Sequence, residues 1–332
     1  MSKLPLKIAF WDYDRTRALI DGQVKPEGIE LDIEVLRPRV MFPRMLDHQE
    51  FDVSELSLAS YSALSARGDC PFIAIPVPVS RFFRHSCIYI HSDSGIHKPE
   101  DLKGKRVGTT QYGSTAATYI KGMLQDDYGV AASDMHWFMG GLTTPTQTPL
   151  IPLDLPTQIK FDYLSEGQTL EGMFMAGELD ALCSIYLPEI FIQGAPKIKR
   201  LFPEFKSIEQ EYYNRTGIFP IMHTIVIKKT VYEEQPWVAA NLFKAFCEAR
   251  NIASSKFYDT DALHLTLPWL IDHVEEAWRE LGKDYWPYGL DSNRTAIDAV
   301  GRYVFEQGLA PQIVTADEMF LELNDLGHAD AC

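Results

Sequence analysis

The chain has few cysteines, and none of them are close together. Cys70, Cys87, Cys183, Cys247 and Cys332 are odd in number, widely spaced and never arranged as CxxC, so neither a disulfide framework nor a zinc knuckle is indicated. That usage fits a reducing compartment. No apolar run of signal-peptide or membrane-spanning length occurs, and MSKLPLKIAFWDYDRTR passes from a short polar start straight into a strand-like run. With Met1 as the natural start, the expectation is a cytoplasmic protein that is not exported. An excess of basic residues is missing as well: 31 Lys and Arg stand against 46 Asp and Glu, a net charge of -15. Such a field repels phosphate backbones and anionic lipid, so nucleic acid and membrane are excluded as partners. There is no solenoid-length repeat, and the nine histidines include no HxxxH or HxH pair.

What remains is the composition of a globular protein, 46% hydrophobic and 23% charged. A length of 332 residues suits two lobes of ordinary size. In so acidic a chain an anionic ligand needs locally concentrated positive charge. The cluster VSRFFRHS (79–86) supplies some of it.

Strand-like and helical segments alternate from the start: KIAFW (7–11), a helix over 15–21, LDIEVLR (31–37), a helix over 41–48, FDVSEL (51–56), a helix over 59–66 and FIAIPVPV (72–79). Alternation of this kind builds a largely parallel sheet. HSCIYI (85–90) reads as a strand leaving this lobe. A second α/β series follows, with RVGTT, a helix over 114–127, MHWFM, IKFDYL, a helix over 169–177 and LDALCS (179–184). TIVIKK (224–229) reads as the strand back. From Gln235 the pattern is helical, with Pro236 at a helix start and Gly308 at a helix stop. The expected architecture is α/β with two lobes, residues 1–88 and 225–332 against 89–224, a ligand cleft between them, and a helical C-terminal third packed on the first lobe. The Pro/Thr-rich segment 142–158 reads as a lid, a packing arm or a plain surface loop.

In GKRVGTTQYGSTAATY (104–119) a strand ends, a Gly-Ser-Thr turn follows and a helix begins. Free N–H groups of the first helical turn and the Ser114 and Thr115 hydroxyls converge there, which suits a carboxylate; equally, Ser114 caps its helix. DLKGKRVG, YGSTAATY and GELDAL resemble the periplasmic-binding-protein-like type II fold, in which the Gly-Ser-Thr turn is a ligand-binding element. SRFFRHSCIYI, LFPEFKSIEQEYYNRTGIFPIMHTIVIKK, PWVAANLFKAF and GKDYWPYGLDSNR resemble the 4,5-dihydroxyphthalate decarboxylase family over nearly the whole chain. The resemblance implies removal of one carboxylate from a dihydroxylated benzene-dicarboxylate to give protocatechuate, without an organic cofactor, in aromatic catabolism. A decarboxylase or other lyase acting on a different aromatic acid, and a solute-binding protein for an aromatic carboxylate, stay open as alternatives.

That chemistry requires a proton for the ring carbon, a polarised ring hydroxyl and a clamp on the remaining carboxylate. His85 and His223, each at the start of a lobe-crossing strand, suit the proton because imidazole titrates near neutrality. Arg81 and Arg84 suit the clamp, since guanidinium grips a carboxylate as a fork. In a straight strand Arg84 and His85 point to opposite faces, so only a kink brings both to one ligand. Asp12 and Arg15, just past the first strand, and Glu55, near the end of the third, lie where open α/β sheets bind ligands; Asp12 or Glu55 is placed to accept from a ring hydroxyl. Asp14 and Arg17 read as a surface pair. Tyr112 and Gly113 beside Ser114 and Thr115, with Ser184 and Thr224, complete the expected substrate-binding set. The expected ligand is a small aromatic carboxylate, no metal is assigned, and a homo-oligomer is an open possibility.

Overall fold

Short, mostly buried runs rich in valine, isoleucine and phenylalanine build two sheets. A computed structural model describes residues 3–145 and 148–323, so Cys332 and two residues of the 142–158 segment lie outside the described residues. The first sheet contains β1 (Leu4–Phe10), β2 (Ile29–Val35), β3 (Val53–Ser57), β4 (Phe72–Arg81) and, from much later in the chain, β11 (Ile221–Lys228). Its order is β2-β1-β3-β11-β4, with β1 parallel to β2 and β3, and β11 antiparallel to β3 and β4. The second contains β5 (Ile88–His91), β6 (Arg106–Thr109), β7 (His136–Met139), β8 (Lys160–Tyr163), β9 (Ala181–Cys183) and β10 (Ile198–Arg200), in the order β10-β5-β9-β6-β7-β8.

Helices α1 (Asp14–Ile20), α2 (Pro38–His48) and α3 (Leu58–Arg67) connect the early strands, and α4 (Thr115–Tyr128), α5 (Leu170–Met175), α6 (Glu189–Ile192) and α7 (Phe205–Thr216) belong to the second series. The C-terminal third holds α8 (Lys229–Glu234), α9 (Trp237–Ser255), α10 (Leu270–Leu281), α11 (Arg294–Glu306) and α12 (Ala316–Met319). Side-chain alternation along the first sheet fills two cores. Ile8, Phe10, Val53, Ile225 and Ile227 face α1 and α9, whereas Ala9, Leu56, Ala74 and Val226 share the core that takes in α3 and α11.

The helical third packs on the first lobe through α9, where Phe246 meets Phe10 edge-on at 5.8 Å. It reaches further than expected, because α11 also lies against α4. Tyr119 donates its hydroxyl to the Ala296 carbonyl at 2.9 Å and Gln307 donates to the Thr118 carbonyl at 2.8 Å. The described part of the 142–158 segment is a packing arm: Ile151 is buried, the Leu150 amide donates to Gln111, and the Arg67 guanidinium donates to the Pro152 carbonyl.

Two expectations need correction. HSCIYI is not one strand, because His85–Cys87 form a 3-10 turn, closed by the Cys87 amide on the Arg84 carbonyl at 3.1 Å, and β5 starts only at Ile88. The crossing itself is therefore the irregular stretch after Arg81, where the ladder has ended. The segment EFKSIEQEYYNRT, which the alternation does not mark as an element, forms α7; its signal is the i, i+4 pair Ile208 and Tyr212 with Gly217, at φ 67, as the stop. Of the boundaries drawn from sequence, 88/89 falls at the first residue of β5 and 224/225 falls inside β11.

α11 approaches the chain after it so closely that a Cβ on Gly301 would meet the Val314 carbonyl oxygen at 1.9 Å. Gly301→Ala favours the helix by propensity but forces backbone apart. It should lower the unfolding free energy by about 1–3 kcal/mol, read as a reduced urea midpoint at unchanged slope.

Candidate active site

The site begins with two prolines. β4 reads FIAIPVPVSR, and Pro76 and Pro78 have no N–H to give to a ladder. Its register against β11 shifts on both sides of His223, and irregularities of this kind re-aim side chains next to active sites. Outside groups take the carbonyls the ladder leaves. The Thr224 hydroxyl donates to the Ile75 carbonyl at 3.1 Å, the Gly289 amide to Pro76, the Trp286 indole to Pro78 and the Arg15 Nε to Val79. Alternation along β11 places Thr224 on the face opposite His223, so this residue of the expected binding set fills a gap in the sheet.

His223 pairs with Ser57 across β3, on the face that carries Glu55. Its Nδ1 lies 2.6 Å from Glu55 Oε1. Glu55 has no exposed surface, yet it is well supplied with donors. The Tyr13 hydroxyl donates to Oε1 at 2.7 Å and the Trp11 amide donates to Oε2 at 2.9 Å. Burial pushes the Glu55 pKa up, but the hydrogen bond and charge of His223 with the Trp11 and Tyr13 donors outweigh it and hold the carboxyl below its ordinary 4.5. Burial and the neighbouring carboxylate push the Tyr13 hydroxyl up, so it stays a donor. The imidazole edge meets Phe42 at 4.9 Å between centroids, and 19% of the side chain remains exposed.

The other expected residues are placed differently. Arg81 donates to the Phe219 and Pro287 carbonyls and to Asn293, which ties the end of β4 to the chain before β11. Burial lowers its pKa to about 10. Arg84 points its Nε at Met222 Sδ, 3.2 Å away, and lies over the Phe82 ring. His85 is buried between Phe202, Tyr212 and Glu209, 3.7 Å from the nearest carboxylate oxygen, with both ring nitrogens lacking a hydrogen bond. The 3-10 turn thus buries both Arg84 and His85 without bringing His85 to His223.

Tyr112, expected beside the ligand ring, is fully buried against Trp137 and Phe161, with the Lys121 ammonium over its face. Gly113 follows it next to Ile151 and Leu309. Ser114 caps α4, accepting from the Ala117 amide at 3.3 Å. Thr115 turns to the first lobe, where its hydroxyl meets Ser57 Oγ at 2.9 Å and accepts from the Ala59 amide at 3.0 Å. Ser184 donates to the Tyr186 carbonyl. Asp12 is held by Arg17, and Arg15 by Asp14 while it stacks on Tyr13 and Trp286.

Sequence reading missed Trp11, Tyr13 and Phe42, the groups that seat the dyad. Their signal was position: two aromatics at i, i+2 directly after a parallel strand end. Among the described residues no group of three or more His, Cys, Asp and Glu is arranged to hold a metal ion, and no helix is long and apolar enough to cross a membrane.

The depressed Glu55 pKa contributes stability that is fully present above 4.5 and is lost as pH falls through the lower folded-state value. Glu55→Gln should therefore unfold more easily at neutral pH, by about 1–3 kcal/mol. The gap to the wild type should close on acidification below that window, measured by urea melts across pH.

Residues 19–142 match a family model described as ABC transporter, phosphonate, periplasmic substrate-binding protein. Among solved structures, the alkanesulfonate-binding protein SsuA from Xanthomonas axonopodis pv. citri, bound to MOPS, superposes with TM-score 0.54 at 14% identity, over 97% of this chain and 99% of that one. SsuA from Escherichia coli superposes equally well at 12% identity, over 97% of this chain and 93% of that one. These likenesses establish a periplasmic-binding-protein-like fold. A 4,5-dihydroxyphthalate decarboxylase of Pseudomonas putida is 40% identical over 64% of this chain and 83% of its own. One of Comamonas testosteroni is 39% identical over 96% of this chain and 97% of its own. By that near-complete match the chain belongs to the 4,5-dihydroxyphthalate decarboxylase family and is a carboxy-lyase.

Proposed function

We propose that the chain converts 4,5-dihydroxyphthalate to 3,4-dihydroxybenzoate (protocatechuate) and that His223 delivers the proton. The observation that carries this reading is the dyad. Nδ1 of His223 sits 2.6 Å from the buried Glu55 carboxylate, while Nε2 has no protein partner among the described residues. A carboxylate on Nδ1 fixes the tautomer and ring orientation and balances the charge of the doubly protonated ring. Nε2–H is then the acid offered to a substrate.

In the proposed reaction the hydroxyl para to the departing carboxylate pushes electron density into the ring. The ring carbon bearing that carboxylate takes the proton from Nε2, the carbon–carboxylate bond breaks, and its electron pair restores the aromatic ring as CO₂ leaves. One proton enters and one CO₂ departs, so the balance calls for no organic cofactor. Solvent reprotonates the imidazole through its exposed edge. The substrate assignment is supported by the names of the two relatives, one matching along almost all of this chain. Glu55 is enclosed and Asp12 is paired with Arg17, so neither carboxylate is free for a ring hydroxyl.

Purified protein should release one CO₂ per 4,5-dihydroxyphthalate and form 3,4-dihydroxybenzoate. No release from this or related hydroxylated aromatic acids, with or without added divalent metal, overturns the reading.

His223→Gln should lower kcat by roughly 10²- to 10⁴-fold and leave product affinity nearly unchanged, whereas His85→Gln should retain most of kcat. The reverse pattern in steady-state kinetics would move the proton donor to His85.

A further inference from the structure

A dianionic substrate keeps one carboxylate throughout the proposed reaction, and something must hold it. Arg81 and Arg84 are turned inward, one onto carbonyls and one onto sulfur. From the geometry we infer that Arg37 holds the retained carboxylate and so selects for it. The inference rests on the reaction proposed above.

Arg37 lies between β2 and α2. Pro38 is the first residue of α2, and a residue before proline is pushed to extended backbone; Arg37 has φ -65 and ψ 143. That conformation puts the guanidinium over the Trp11 ring, 5.0 Å from its centroid. Trp11 in turn gives its amide to Glu55, Glu55 holds His223, and His223 packs on Phe42, five residues after Arg37 at the start of α2. The contacts close a circle: Arg37, Trp11, Glu55, His223, Phe42 and back along α2. Five helical residues rise about 7.5 Å, so Arg37 at the start of α2 and Phe42, which packs on the imidazole, are about one and a half helical turns apart.

The charge environment supports this assignment. Arg44, later on the same helix, is consumed by Glu34 and Glu50, and Arg15 and Arg17 by Asp14 and Asp12. No hydrogen bond or ion pair reaches the Arg37 guanidinium among the described residues. In a chain of net charge -15, an exposed guanidinium that is steadied by stacking and spared from every carboxylate is a fork ready for an anion. Arg39, which also lacks a partner among the described residues, has no aromatic ring beneath it and serves as the comparison.

The test uses binding as well as turnover. By titration calorimetry the wild type should bind 3,4-dihydroxybenzoate, which has the retained carboxylate, more tightly than catechol, which lacks it. Arg37→Gln should weaken 3,4-dihydroxybenzoate by roughly 10- to 100-fold, the worth of a charge-assisted pair, and should raise KM for 4,5-dihydroxyphthalate by a similar factor with a smaller change in kcat. Catechol affinity in that variant, and all constants in Arg39→Gln, should stay within about twofold, as for an ordinary surface change. Arg37→Lys should recover only part of the loss, since it keeps the charge without the fork. The inference is overturned if Arg37→Gln binds 3,4-dihydroxybenzoate like the wild type, if catechol weakens equally, if Arg39→Gln shows the larger loss, or if the wild type itself shows no preference for the carboxylate. A wild type that binds with that preference yet releases no CO₂ refutes the reaction and leaves the subsite standing.

Discussion

A carboxylate with no exposed surface must receive from the protein every hydrogen bond that water would have given it, and Glu55 sets this demand at the centre of the first lobe. Its donors come from separate places: the Trp11 amide and Tyr13 hydroxyl past the end of β1, and the His223 imidazole from β11. β3 lies between β1 and β11 in the sheet, so only this strand order brings the three donors to one side chain. Burying the charge thus joins the early strands to one that returns after more than a hundred residues of second lobe. The same bonds fix the direction of the imidazole.

The lobes are held by groups of the kind usually reserved for ligands. Thr115, at the head of α4, spends its hydroxyl on Ser57 and on the first turn of α3. Phe83 and Phe219 stack at 4.6 Å between the outgoing and returning crossings, and Arg81 fastens the same region to Asn293. A buried guanidinium without a carboxylate is expensive to desolvate, and here two carbonyls and one amide oxygen offset that cost. Positive charge near the crossings therefore serves as frame.

How much of this could be read from residues alone differs by scale. The alternation of strand and helix located β1 to β4 with α1 to α3, and β6 to β9 with α4 and α5, but not β10, α6, α7, α8 or α12; the rule that ligands gather at strand ends pointed to Glu55, and the chemistry of imidazole at the start of a crossing strand pointed to His223. The crossing was misread because HSCIYI has the composition of a buried strand, and composition does not register that Arg84 to Cys87 turn once before extending. Arg81 was misread for another reason: its partners lie 138, 206 and 212 residues away, a separation that no local pattern encodes. Tyr112 failed similarly, since a Gly-Ser-Thr turn says where a backbone bends and not whether the tyrosine before it enters the cleft or the core. Burial is a property of the assembled chain, and the expectations that failed were those that assumed exposure from residue type.

The fold's likeness to sulfonate-binding proteins, at 12% to 14% identity, shows how little of a decarboxylase is carried by its architecture. A shared arrangement of sheets and helices serves a receptor and an enzyme equally. Turning over an aromatic acid further requires a proton source whose charge is balanced in both of its states and whose direction is fixed. In the reaction proposed above a few residues answer to that requirement: an acid in the middle of a wholly buried strand, two aromatics after the first strand, and a histidine beside the irregular register of a neighbour that carries two prolines. Each is a departure from what a plain sheet would choose. A buried glutamate, a proline pair within a ladder and a polar ring at a bulge are all locally unfavourable, and they are mutually satisfied only when the dyad is assembled.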